Sequence, residues 1–353
     1  MILRRHLMRI VAFRVLAALV VLVSILQVLD LLDAATDILE RQLGLGGVIY
    51  YATLRAPTLI QQVAPLSVLA GCLFAFTQLA RENAVTALRS TGVSSYQLLG
   101  AMAPAVLTVA VLHFASVQWL TPRADQALDA WWSRSAPREE QATTAEPRSF
   151  RVGMDIATGV MGDPSGRRLT DLRIYRRDAQ GRLIERLRAK EAVHQNGGWR
   201  LETASFDTLG RQGVQSGAAG QILWRPGPLP QDIRAIFAGE ASLAPGTARR
   251  ALSGGASTRP PSYYSTTLQR GWAAPLSGFV MLLLAGPVLL VNFRSGGANT
   301  VVLSLAAGLT FLVVDGVFSA MAEGGTIPAL LGAWGAPAIF AALGASALLH
   351  LEG

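Results

Sequence analysis

Residues 10–32 read IVAFRVLAALVVLVSILQVLDLL, an apolar run interrupted only by Arg14, Ser24, Gln27 and Asp30. A helix needs about 20 mostly apolar residues to cross the hydrocarbon core of a bilayer. The run is too long for the core of a signal peptide, and no small-residue cleavage site follows it. We therefore expect a retained membrane helix here.

Five further apolar runs have similar lengths, at residues 56–80, 98–120, 272–292, 300–321 and 328–351. Between residues 122 and 267 the chain is polar and rich in arginine, with turn-forming Gly and Pro and no run of spanning length. The pattern predicts an α-helical membrane protein with six transmembrane helices (3+3) around an inserted domain. We place three helices in 1–120, the insert with its linkers in 121–267 and three helices in 268–353.

The composition agrees with a membrane protein. The 353 residues are 51% hydrophobic and only 15% charged, whereas soluble domains carry about 25% charged residues. The formal charge of +8 is nearly all arginine, and Lys190 is the only lysine. These arginines are scattered or flank the apolar runs, which is typical of topology signals, so we expect no nucleic-acid partner. Cys72 is the only cysteine, which excludes a disulfide framework and a cysteine-type zinc site.

Charges in the short loops predict the orientation. One side carries Arg4, Arg5, Arg9, Arg14, Arg81, Arg89 and Arg294, while on the other Asp33, Asp37, Glu40 and Glu323 offset Arg41 and Arg55. Because Lys and Arg are retained on the cytoplasmic side, both termini should be cytoplasmic and the insert extracytoplasmic. In a bacterium this corresponds to the inner membrane and the periplasm.

The insert is predicted to be all-β. Alternating or short apolar stretches lie at 171–177, 182–194, 199–206 and 221–224. Asn196-Gly197-Gly198 is a strong hairpin signal. Short strands at this spacing are typical of a sandwich, a jelly roll or a half-open barrel. The stretches 232–240 and 242–261 are expected to be linkers.

Residues 79–94, LARENAVTALRSTGVS, form the most informative loop. Ala84, Val85, Ala87 and Leu88 make an apolar stripe at helical spacing, opposite Arg81, Glu82, Arg89 and Ser90. Gly92 suits a helix end, and Ser94 with Gln97 suits a capping box. We expect a short amphipathic helix at the cytoplasmic surface. It could rest on lipid headgroups or dock a cytoplasmic partner.

Polar residues inside the spans are candidates for function because charge is costly there. Asp315 in the fifth run is either functional or close enough to the membrane edge to reach water. His113 in the third run is typical of a helix-packing hydrogen bond.

Known catalytic motifs are absent from the sequence. It contains no phosphate-binding Gly-x-x-x-x-Gly-Lys loop, no His-Glu-x-x-His and no Gly-x-Ser-x-Gly elbow. We expect no enzymatic activity and no cofactor bound by this chain.

The layout resembles the LptF/LptG permease family of lipopolysaccharide exporters over nearly the full chain. The resemblance rests on Pro57 and Pro65, on residues 79–94, on 272–287 with the following loop 294–297, and on residues 332–334. Residues 29–33 look more like LptG than LptF. The resemblance implies a β-jelly-roll insert between two sets of three spans.

The resemblance also implies partners and sites. Such a permease pairs with its paralogue LptF, two copies of the ATPase LptB bind ATP and dock at residues 81–92, and lipopolysaccharide passes through the β domain to LptC and LptA. The implied coupling residues are Arg81, Glu82, Val85, Leu88, Arg89 and Gly92. Spans one and five would form a lateral gate and lipid cavity, with candidates Gln27, Asp30, Arg41, Arg55, Phe311, Asp315 and Phe318.

Two positions depart from the family pattern. Ala84 stands where relatives often have a second acidic residue, which leaves Glu82 as the single acidic contact. Gln27 and an acidic run stand where some relatives have lysines, which puts headgroup recognition by basic residues of span one in doubt.

Two other classes of protein remain open. Another ABC-type membrane subunit could transmit a mechanical or regulatory signal to a periplasmic partner, and a solid-cored insert would favour it over a transporter. A membrane-bound enzyme with its site in the insert would need a buried acid and base facing each other.

Overall fold

The computed structural model describes residues 2–82, 84–90, 92, 94–135, 147–195, 197–210, 213–238, 245–290 and 297–352. The chain divides into two compact units. One unit comprises Met1–Asp125 and Ser265–Gly353, and the other comprises Gln126–Tyr264.

The first half of the chain is helical. Its helices are α1 (Ile2–Glu40), α2 (Gly44–Arg81), α3 (Ala84–Ser90) and α4 (Ser95–Ala115), which continues through a π-helical turn (Ser116–Leu120) into α5 (Thr121–Ser135). The third span was expected to end at Leu120, but its helix runs 15 residues further. The membrane sets only a minimum length, and nothing at Leu120 stops the helix.

The central unit carries the strands. They are β1 (Arg148–Val152), β2 (Asp155–Met161), β3 (Arg168–Arg177), β4 (Leu183–Gln195), β5 (Gly198–Gly210) and β6 (Gly213–Trp224), followed by α6 (Pro230–Ala238), α7 (Pro245–Leu252) and the two-residue strand β7 (Ala256–Ser257). All seven strands form one antiparallel sheet in the order β6-β5-β4-β3-β2-β1-β7. The inserted all-β domain is thus confirmed, and its strand order is a meander.

The predicted hairpin joins β4 to β5. Gln195 pairs with Gly198 across the turn, and Gly197 has φ +73°, a left-handed conformation that glycine adopts without strain. Asn196, the first residue of the motif, lies outside the described residues.

One face of the sheet forms a core of its own. Trp199, Trp224 and Leu172 are fully buried there, and Ile233 and Phe237 of α6 pack against them. The expectation that 232–240 is a linker was wrong, because its apolar residues at helical spacing form an amphipathic helix. The second expected linker, 242–261, contains α7 and β7 in its described part.

Helix α6 is too short to cover the whole apolar face of the sheet. Seven strands spaced about 4.8 Å apart span roughly 29 Å, whereas the 9-residue helix α6 is only about 13 Å long. The helix alone cannot bury this face, yet Leu172 and Ile174 are 0% exposed.

Three helices return through the membrane unit. They are α8 (Pro261–Ala285), extended by a 3-10 turn (Gly286–Leu289), α9 (Gly297–Glu323) and α10 (Ala329–Glu352). Six helical stretches, which we call spans one to six, are long and apolar enough to cross a membrane: Arg5–Glu40, Gly44–Arg81, Tyr96–Trp132, Pro261–Leu289, Ala298–Glu323 and Ala329–His350. The prediction of six spans is confirmed.

Glycines allow several helices to approach closely. A Cβ atom on Gly71 of span two would lie 2.5 Å from the Val15 Cα of span one. Gly332 of span six similarly faces Ala322 of span five, where a Cβ would meet the alanine Cβ at 2.1 Å. Small residues therefore set the distance between neighbouring helices, as is common in membranes.

Candidate functional site

The six spans differ greatly in how much of their apolar surface the unit buries. In the most apolar 18-residue stretch of each span, 67% of residues are buried in span two and 72% in span four. The corresponding fractions are 6% in span one and 17% in span five. Spans two and four form the interior, while spans one and five present apolar faces to lipid or to another protein.

An ion pair connects the C-terminal part of span one to the N-terminal part of span two. Arg55 Nε lies 2.9 Å from Asp30 Oδ1, and the Tyr51 hydroxyl donates to Asp30 Oδ2 at 3.0 Å. Span three joins through Thr58, whose hydroxyl donates to Asp125 at 2.9 Å. Asp30 was expected to contribute to a lipid cavity and Arg55 to be one of the few basic groups near it. The structure instead pairs them with each other.

A second polar link lies at the N-terminal part of span one and the C-terminal end of span two. Arg14 of span one donates to the Phe74 carbonyl at 3.3 Å and to the Gln78 side-chain carbonyl. The Gln78 amide nitrogen donates to Glu82 Oε1 at 2.6 Å. The three side chains therefore form a continuous chain from span one to the residue that caps span two.

The segment after Glu82 follows the sequence prediction in outline. Helix α3 is short, Gly92 has φ +87°, and Ser94 and Gln97 form the predicted reciprocal capping box. Val85, expected to contact a partner, is only 6% exposed and packs in the core of the membrane unit. An apolar stripe on a short helix buries itself against the nearest apolar surface, so Val85 anchors the segment.

The structure shows the exposure of three other residues of the coupling segment. Arg81, Glu82 and Gly92 are exposed. The side chains of Leu88 and Arg89 lie outside the described part of the chain, so their expected contacts stay predictions.

A charged pair that the sequence did not reveal joins spans four and five. Arg270 donates to Asp315 Oδ2 at 3.1 Å, and a small pocket beside the pair is lined by Ser277, Ala333 and Pro337. Nearby, Trp334 donates to Gln269 at 3.3 Å. An arginine inside an apolar span is costly unless it is paired. Applied to Arg270 in the sequence, this rule would have predicted an acidic partner on another span.

The other gate candidates lie apart from these pairs. Phe311 is 1% exposed and packs edge-on against Phe340, with ring centroids 5.5 Å apart. It lies in the core of the membrane unit, and its expected place at a lipid cavity stays a prediction. Phe318 contacts the Gly335 position of span six. Gln27 and Arg41 are half-buried, and within the part of the chain that the structure describes the Gln27 amide nitrogen has no hydrogen-bond partner.

The charged groups of the sheet pair across strands. Asp207 accepts from Arg186 at 2.6 Å and from Arg188 at 3.2 Å. The hydrogen bond from Arg186 is the main reason why the pKa of Asp207 is lowered from its usual range. No group of three His, Cys, Asp or Glu residues able to hold a metal ion occurs in the described residues.

Six helices long and apolar enough to cross a membrane, with a β unit inserted between the third and fourth, define a multi-pass membrane protein. The chain belongs to the family described as "Lipopolysaccharide export system permease LptF/LptG", which matches residues 5–350. No curated protein matches the sequence. Members of this family are permeases and not enzymes, and they act in lipopolysaccharide export together with other Lpt proteins.

Proposed function

We propose that this chain is one of two permease halves of an ABC-type lipopolysaccharide exporter in a bacterial inner membrane. Its termini would be cytoplasmic and its β unit periplasmic. The family match over residues 5–350 carries this proposal. The arginines of the short loops support the orientation, since basic residues are retained on the cytoplasmic side.

The exposed apolar faces of spans one and five support a lateral gate. A span that buries 6% of its most apolar stretch needs lipid or a second protein beside it. Span one of this chain would face span five of the paralogous half, and the reverse pair would close the other side. Lipopolysaccharide would enter between such spans because its acyl chains fit their exposed apolar faces.

The segment from Arg81 to Gly92 would dock a cytoplasmic ATPase of the LptB type, in two copies per exporter, which binds the ATP. Exposed Arg81 and Glu82 supply charge on the surface of this segment. Buried Val85 fixes the segment to the membrane unit, so a movement of the ATPase would be passed to the spans.

The β unit would hand lipid to a periplasmic bridge of LptC and LptA. Strand β6 is a 12-residue edge whose residues are mostly exposed, and among the described strands only β5 pairs with it. An edge of this length can pair with a strand of another protein by β-augmentation. The segment 29–33 favours an LptG-type half, whose partner would be LptF.

Affinity purification of the chain from its native membrane, followed by mass spectrometry of proteins and lipids, tests this function. We expect a paralogous six-span protein, a soluble ATPase and lipopolysaccharide. Recovery of the ATPase without lipopolysaccharide would favour a signal-transmitting ABC subunit instead. Recovery of neither would contradict both.

A double substitution in the coupling segment tests its proposed contact with the ATPase. Glu82→Ala with Leu88→Asp should abolish co-purification of the ATPase, because a charge in a buried contact is costly. Leu45→Asp is a control, since Leu45 is 82% exposed at the opposite end of span two. Unchanged ATPase recovery with the double variant would contradict the assignment.

A further inference from the structure

The polar chain at the inner end of span one has a direction. Arg14 is a cation and can only donate, while Glu82 is an anion and accepts. Gln78 lies between them with its carbonyl towards Arg14 and its amide nitrogen towards Glu82. This orientation matches both charges, and each hydrogen bond polarises the other.

The two ends of this chain have different surroundings. Arg14 and Gln78 are half-buried between spans one and two, whereas Glu82 is exposed at the end of span two. Glu82 is therefore the point at which a protein on the cytoplasmic side can reach the chain. A cationic side chain that bound Glu82 would compete with the Gln78 amide for the same carboxylate.

Span one packs closely against span two beside Arg14. Val15, the neighbour of Arg14, packs against Gly71, where even a Cβ atom would find no room. The inner part of span one therefore lies directly on span two. The hydrogen bonds that link Arg14 to Glu82 lie one to three helical turns beyond Gly71 along span two. They therefore fix the angle of span one relative to span two.

We propose that Gln78 is a positioning residue that connects the coupling segment to the gate. In the absence of a partner, Gln78 holds the inner end of span one against span two. When a basic side chain of the ATPase binds Glu82 and draws the carboxylate away from span two, the Gln78 amide loses its acceptor and the hold on Arg14 weakens. This inference rests on the proposed function, because it assumes a partner at Glu82.

The distance between two spin labels reports whether span one stays packed against span two. Phe13 of span one and Phe74 of span two are 73% and 64% exposed, so cysteines there can be labelled without disturbing the core. Cys72, the only cysteine, is replaced by alanine in all proteins. Dipolar broadening in continuous-wave spectra of the full-length protein in liposomes reports the separation of the two inner ends, with and without ATPase and ATP.

Three variants separate the steps. Gln78→Met has a similar length but neither donates nor accepts, so it should raise the population of the separated state about 2- to 12-fold without ATPase. Gln78→Glu keeps an acceptor for Arg14 but cannot donate to Glu82, so the spans should stay together and no longer respond to the ATPase. Gln62→Met is the control, because Gln62 is an exposed glutamine of the same helix.

The outcomes are distinct. We expect the spectrum of the parent protein to become less broadened when ATPase and ATP are added. The spectrum of Gln78→Met should be less broadened even without ATPase, while this variant still co-purifies with the ATPase. Identical spectra for the parent protein and Gln78→Met, with and without bound ATPase, would overturn the inference. Failure of any ATPase to bind the parent protein would instead contradict the proposed function, and the spectra without ATPase would still test the hold on span one.

Discussion

The Arg270 guanidinium lies 3.1 Å from the Asp315 carboxylate and joins span four to span five. Both side chains are largely removed from solvent, with 33% and 19% of their surface exposed. A charge within a membrane span is stable only when it is paired or reaches water. The pair therefore holds the most exposed part of the C-terminal bundle, span five, to the interior span four.

Removal of one member of this pair should be more harmful than removal of both. We expect Arg270→Met or Asp315→Leu alone to lower stability by about 1–3 kcal/mol, because each leaves an unpaired charge. The double variant should recover part of that loss. Thermal unfolding in detergent measures the stability of the two single variants and of the double variant against the parent protein. A double variant less stable than either single variant would show that the pair is a net source of stability.

The Asp30–Arg55 pair should tolerate an exchange of its charges. Asp30→Arg and Arg55→Asp should each reduce thermal stability, since each places like charges together between spans one and two. The combined exchange should restore most of the loss. Tyr51→Phe removes a single hydrogen bond to Asp30 and should cost about 1 kcal/mol. If the exchanged protein were no more stable than the single variants, the pair would not be the contact that joins these spans.

A methyl group at position 71 should separate spans one and two. Gly71→Ala places a Cβ atom 2.5 Å from the Val15 backbone, and such overpacking costs about 1–3 kcal/mol. The matched control is Gly100→Ala in α4, where a Cβ would meet no atom within 4 Å. It should be neutral or stabilising by up to about 1 kcal/mol. Equal melting temperatures for the two variants would argue against the close contact.

The β unit should lose stability in acid through Asp207. The folded-state pKa of Asp207 is lowered by the hydrogen bond from Arg186. The contribution of the Asp207 carboxylate to the stability of the β unit is therefore fully present above the unfolded-state pKa of about 3.9. It is lost as the pH falls through the lower folded-state pKa. Asp207→Asn should speed hydrogen exchange in β4 and β5 at pH 7, and the difference from the parent protein should shrink as the pH falls below about 3.9.

Glu202→Gln on the same strand provides the control for this measurement, because it also replaces a carboxylate by an amide. It should leave exchange in β4 and β5 nearly unchanged. A pH-independent effect of Asp207→Asn would indicate that the charge of Asp207 does not matter for stability.

The local features of this protein were readable from its sequence. Apolar runs of about 20 residues predicted the spans, the Gly197 turn predicted the hairpin between β4 and β5, and Ser94 with Gln97 predicted the start of span three. Each of these signals lies within one element or one turn, so the residues that make it are neighbours in the chain. The family resemblance was readable for the same reason, since its motifs are short.

The candidate site depended on contacts that chain neighbours cannot encode. Asp315 looked either functional or solvated, and only the packing of span four beside span five identified Arg270, 45 residues away, as its partner. Helix α6 looked like a linker because its nine residues are too few to suggest an element that completes a core. Val85 looked like a docking residue because an amphipathic stripe does not say which surface it meets.

Hydrophobicity along the chain by itself determined the number of spans, the place of the inserted β unit and the positions of its main turns, because burial in lipid and strand pairing both leave periodic signals. The tertiary structure alone decided which charges neutralise each other and which apolar faces remain exposed. Those properties depend on the choice of neighbouring helix, and that choice is made by complementary shape at positions such as Gly71 and Val15, which hydrophobicity does not record.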